Sequence, residues 1–142
     1  MRLAIAFVLA LAATANAQRQ PGWEVRIPER TELAIGTSAV VPITIAVDRG
    51  LTVSKDGPVI VDLAAEPGIT IKKRRLGRGD AVDREADAPR FEVAVRGDAA
   101  GDHVVKVRIR MWICGQKLCR PADVRRQVTI AVTPSAGSDA AR

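Results

Sequence analysis

The only two cysteines of the chain stand in the run Cys114-Gly115-Gln116-Lys117-Leu118-Cys119-Arg120-Pro121. Four intervening residues that include Gly115 and Lys117 suit the tip of a tight β-hairpin, where facing residues come within bridging distance. Such a pair either forms a lasting bridge or takes part in thiol–disulfide exchange. In exchange an incoming thiolate attacks one sulfur, a mixed disulfide forms, and the second cysteine resolves it. A loop of about six residues constrains the unfolded chain by only roughly 2 kcal/mol, so a bridge here has modest structural worth. Spacing alone leaves both chemistries open.

The start of the chain bears on the redox environment. Arg2 is followed by an apolar run from Leu3 to Ala13 and then by Ala15-Asn16-Ala17, the pattern of a secretory signal peptide over residues 1–17 with a small-residue cleavage site. The run is too short for a membrane span, and no later segment approaches one. The expectation is an exported, periplasmic protein in which a cysteine pair oxidises. Residues 18–133 form one domain, long enough for a core that does not depend on a disulfide, and Pro134 to Arg142 form a small, polar tail.

The elements that must position the cysteines read as strands. Alternating β-branched runs fall at Ala39 to Val47, Val59 to Leu63, Ile69 to Ile71, Phe91 to Val95, Val104 to Ile113 and Val124 to Val132, with weaker ones at Trp23 to Ile27 and Glu32 to Ile35. Gly and Asp clusters such as Asp48-Arg49-Gly50 and Glu66-Pro67-Gly68 separate them. Period-two alternation indicates half-buried strands. The fold class expected is all-β, an immunoglobulin-like β-sandwich of about seven or eight strands.

Parity then fixes where side chains point. Val105, Val107, Ile109, Met111 and Ile113 share the inward face, while Lys106, Arg108, Arg110, Trp112 and Cys114 share the outward one. Val124, Val128, Ile130 and Val132 are inward, and Cys119, Asp123, Arg125 and Gln127 outward, unless Pro121 shifts the phase. If Cys114 faces Cys119, Ile109 lies by Val124, Val105 by Val128 and Arg110 by Asp123, with Arg126 the one misfit. Arg110, Lys117 and Arg120 would favour a thiolate by charge attraction.

The segment from Gly101 to Pro121, in which a strand ends in Cys114 and is followed by Cys119-Arg120-Pro121, resembles the end of the N-terminal domain of the DsbD family. The likeness extends more loosely through Asp48-Arg49-Gly50-Leu51-Thr52-Val53, Val59 to Leu63, Pro67-Gly68-Ile69 and Arg90-Phe91-Glu92-Val93, covering roughly residues 39 to 133. The resemblance implies an immunoglobulin-like sandwich that carries electrons by exchange in the periplasm, with Cys114 and Cys119 as the exchanging pair and Cys119 as the sulfur that partners meet. The implied partners are a thioredoxin-like or membrane thiol reductase as electron source, and exported disulfide proteins as acceptors.

Two features depart from that pattern. Family members place aromatic residues around the pair and in a loop that caps it, and here those positions lack them. The corresponding segment, Lys72 to Arg90, carries seven basic and four acidic residues. Any cap it forms would shield by charge.

Other chemistries find little in the residues. His103 is the sole histidine, and with the two cysteines it would give three zinc ligands at poor spacing. No metal or other cofactor is expected. A hydrolase triad lacks a G-x-S-x-G turn. The formal charge of +6 and the run Lys72-Lys73-Arg74-Arg75 suit a solvated loop or an acidic partner; for an exported chain nucleic acid is not expected. Beside exchange stand two further readings: a structural or binding sandwich with an inert disulfide, and a basic module for an anionic envelope component.

Overall fold

A computed structural model describes residues 22–134. The leader expected over residues 1–17, and all but the first residue of the tail expected over 134–142, lie outside the described residues. Ten strands account for most of the described chain: β1 (Trp23–Arg26), β2 (Arg30–Ala34), β3 (Ser38–Val47), β4 (Thr52–Val53), β5 (Ile60–Ala65), β6 (Ile69–Thr70), β7 (Arg75–Leu76), β8 (Arg90–Gly97), β9 (Gly101–Cys114) and β10 (Cys119–Thr133). One 3₁₀ turn, Arg78–Asp80, follows β7.

These strands form two sheets. One has the order β1-β3-β8-β6, and the other runs β2-β10-β9-β5-β7, with β4 also pairing β9. All pairings are antiparallel except that of β2 with β10. The fold is therefore the all-β, immunoglobulin-like sandwich that the alternation predicts. Every expected strand is present, and the count rises above eight because β4 and β7 add two residues each. Pairs that short leave no alternation to read.

The core lies between the inner faces. Phe91, Ile43, Ile109, Ile130, Val61, Val95 and Val128 are almost wholly buried in it. Strand β8 alternates exposed and buried residue by residue, as a strand with one wet face does. Among the described residues Phe91 is the one aromatic ring fully buried in that core, with Trp23 packed at its margin, so β-branched side chains provide most of the apolar contact. Gly97 marks a close approach, since a Cβ there would come within 2.9 Å of Val132 and 3.0 Å of the Leu33 side chain.

The long hairpin β9–β10 carries the cysteines. Its register pairs Cys114 with Cys119, Arg110 with Asp123, Ile109 with Val124 and Val105 with Val128, as parity predicts. Pro121 does not shift the phase: Ala122 and Val124 are both buried. Arg126 has inward parity opposite Val107 but is exposed. It lies where the sandwich opens beside Val25 and Ile27.

Candidate functional site: the hairpin-tip disulfide

At the hairpin tip the Gly115 amide donates to the Leu118 carbonyl at 3.0 Å. That makes residues 115 and 118 a hydrogen-bonded pair, so the next pair, Cys114 and Cys119, is a non-hydrogen-bonded one. Side chains approach most closely at such pairs. The two Cα atoms are 4.0 Å apart and the sulfurs are joined in a disulfide.

The two sulfurs have different surroundings. Cys114 is half-buried, and its strand is flanked by Cys119 of β10 on one side and by Thr52 of β4 on the other. Cys119 is exposed. Among the described residues β10 carries no strand on its far side until Thr129, where β2 begins to pair. Access along that flank leads to Cys119.

Apolar surface lies on both sides of the tip. Below it, toward the mouth of the sandwich, Trp23, Leu51, Ile113 and Leu118 line a groove of about 360 Å³ whose rim includes Lys117 and Arg120. Leu118 is 55% exposed. On the outer face Trp112, 40% exposed, stands opposite Pro121 and shares a second hollow with Pro58 and Ile60. Trp112 is thus the apolar neighbour in the outward row next to the disulfide. Among these walls Leu51 and Leu118 fall in segments that the resemblance covers, and Leu118 stands out as an apolar residue inside a turn; Trp23 gives no signal in the sequence.

The three cations expected to favour a thiolate separate into two groups. Lys117 and Arg120 are exposed at the tip, with no ion pair among the described residues. Arg110 instead donates to Asp62 at 2.8 Å, so its charge is directed away from the sulfurs. Although Arg110 faces Asp123 in register, Asp123 is held by Arg108 through bonds of 3.0 and 2.7 Å. Hydrogen bonds from Arg75 first, and then from Arg110, hold the Asp62 carboxyl below the usual carboxylate range. The bond from Arg108 does the same for Asp123.

The charged segment 72–90 is folded, and its anchor is Arg78. One guanidinium nitrogen donates to the carbonyls of Val53 and Ser54 at 2.8 and 3.0 Å, the other to those of Arg84 and Ala86 at 3.1 Å each. The main-chain carbonyl of Asp87 accepts from the Val53 amide at 2.7 Å and from the Thr52 hydroxyl at 3.1 Å. The part of the segment from Arg78 to Asp87 therefore lies along β4, on the Cys114 flank, while Arg75–Leu76 pairs with β5, and Cys119 stays exposed.

His103 has a packing role. Its Nε2 is 2.8 Å from the Ala99 carbonyl, and its ring lies over Gly68, where a Cβ would come within 2.3 Å of Cε1. No group of three or more metal-ligating side chains occurs among the described residues. Nor does any helix there have the length and apolarity to cross a membrane.

No family model matches the chain, and no curated protein matches it. Among solved structures the chain has remote likenesses. The PapD-like domain 7 of human CEP192 is 8% identical, with a TM-score of 0.41 over 90% of this chain and 99% of that one. AggA, the major subunit of aggregative adherence fimbriae type I from Escherichia coli, is 8% identical at a TM-score of 0.38, over 78% and 95%. Murine CRIg is 10% identical at 0.36, over 80% and 98%. Similarity this remote has no bearing on function, and the fold assignment rests on the sheet topology described above.

Proposed function

We propose that the chain is a thiol–disulfide exchange module of the periplasm working through Cys114 and Cys119, in keeping with its resemblance to the N-terminal domain of the DsbD family. The observation that carries the reading is the unequal exposure of the two sulfurs: Cys119 open on a strand flank, Cys114 held between two strands. Attack on a disulfide requires a nucleophile in line with the bond, and the free flank of β10 offers that line to Cys119. The partner thiolate bonds to the Cys119 sulfur, the bond between the cysteines breaks, and Cys114 leaves as a thiolate. A second thiolate of the partner then attacks its own sulfur and releases Cys119. Two electrons have passed to this chain, and the reverse sequence passes them to an acceptor disulfide. Lys117 and Arg120 favour the thiolate forms by charge attraction.

The reading requires export, consistent with the leader pattern over residues 1–17. Its partners are a thioredoxin-like or membrane thiol reductase and exported disulfide proteins. A second reading, an exported binding or structural sandwich with an inert disulfide, is favoured by one observation. Arg110 is engaged by Asp62, which leaves less charge to stabilise a thiolate.

Equilibration of the protein in defined thiol buffers, followed by alkylation and mass counting of free thiols, separates the two. A potential above about −250 mV supports exchange, and one below about −300 mV supports the inert bridge. Under the exchange reading, Cys114→Ser traps partners through Cys119 and Cys119→Ser does not. The opposite trapping pattern would overturn the assignment of the attacked sulfur.

A further inference from the structure

The outer face of the larger sheet holds a basic groove some distance from the disulfide along β9. Register places Arg75, Asp62, Arg108 and Arg125 in one row across four strands, and Ala64, Lys106 and Gln127 in the next. Together with Arg74 and Arg126 these residues line a hollow of about 930 Å³. Internal pairing consumes part of the charge: Arg75 is bound to Asp62 and Arg108 to Asp123. Arg74, Lys106 and Arg125 are exposed and make no ion pair among the described residues. Three cations that belong to no ion pair among the described residues, of which Arg125 also acts at longer range on Asp123, thus surround a floor whose exposed residues are Ala64 and Gln127.

The floor narrows the class of ligand. Among the described residues no aromatic ring lines the groove, so none of them would stack on a nucleobase. Small aliphatic surface inside a cationic rim instead matches a chain that alternates carboxylates with apolar side chains. We propose that this groove docks an extended acidic segment of a partner protein. Its carboxylates lie on Arg74, Lys106 and Arg125, and an aliphatic side chain lies on Ala64. Arginine accepts carboxylates in a two-pronged geometry, and the summed field steers such a segment toward the face. The proposal stands whether or not the disulfide exchanges.

The probe is a fluorescein-labelled peptide with a central leucine flanked by glutamates, titrated against the intact protein by anisotropy at low salt. The double variant Lys106→Glu, Arg125→Glu is expected to weaken binding by about tenfold or more, whereas Arg49→Glu leaves it unchanged. Binding by the native protein should be lost at about 0.5 M salt, and peptide-induced amide shifts in the native protein should centre on Ala64, Lys106 and Arg125. That mapping needs no variant to fold. Shifts centred elsewhere, equal loss with Arg49→Glu, or insensitivity to salt would overturn the proposal. So would tighter binding of heparin, polyphosphate or phosphatidylglycerol vesicles through the same residues.

Discussion

Arg78 donates from its guanidinium to the main-chain carbonyl of Val53 at 2.8 Å, joining a segment rich in charge to the strand beside Cys114. The same side chain also bonds Ser54, Arg84 and Ala86. A loop with no apolar periodicity is held in place by main-chain oxygens converging on one cation.

Arg78→Ala should therefore lower stability by about 2 kcal/mol, the range for hydrogen bonds to a charged group. Arg78→Lys should recover little of it, because an ammonium cannot span carbonyls placed for a planar fork. Urea denaturation measures the loss. Hydrogen exchange at the Val53 amide, which donates to the main-chain carbonyl of Asp87, should accelerate in both variants.

Replacing both cysteines by serine should cost no more than roughly 2 kcal/mol, the loop-closure value for so short a ring. The strands remain paired from Ala122 to Val132 without it. Thermal melting of the double variant would refute this if the hairpin, followed by Trp112 fluorescence, failed to fold at all.

Gly68→Ala should destabilise by about 1–3 kcal/mol, since φ there is +108° and the backbone conformation excludes a β-carbon at little cost only in glycine. The added methyl would also meet the His103 ring at 2.3 Å. Pairing it with His103→Ala should relieve the collision and leave the backbone strain, so the two effects are less than additive in a double-mutant cycle.

Acid should weaken the fold through three aspartates. A hydrogen bond from Arg75 depresses Asp62, one from the Gly77 amide depresses Asp80, and one from Arg108 depresses Asp123. A depressed folded value means a contribution that is fully present above the unfolded-state value near ~3.9 and lost as pH falls through the folded one. Urea midpoints should be level near neutrality and drop below about pH 4. Asp62→Asn should make that drop shallower.

Much of this arrangement is legible in the residues. Alternation at Val105, Val107, Ile109 and Met111 is a steric consequence of the pleat, so it fixes both the strand and its buried face. Once Cys114 faces Cys119, every pairing below them follows. Ion-pair choice does not follow, because Arg108 and Arg110 are long enough to reach diagonal neighbours, and Asp123 took Arg108. Strands β4 and β7 were hidden by their length. The anchoring by Arg78 was hidden for another reason: its partners are carbonyl oxygens, which every residue carries and no sequence pattern marks.

The unpaired flank of β10 has a consequence beyond access to sulfur. An open row of strand amides and carbonyls is a template on which another chain can add, the first step toward a fibril. Along that edge the chain places Arg120, Pro121, Arg125 and Arg126, all exposed. Pro121 withholds one donor, and the arginines repel a second copy of the same edge. The molecule keeps an open border and remains poorly suited to joining itself there.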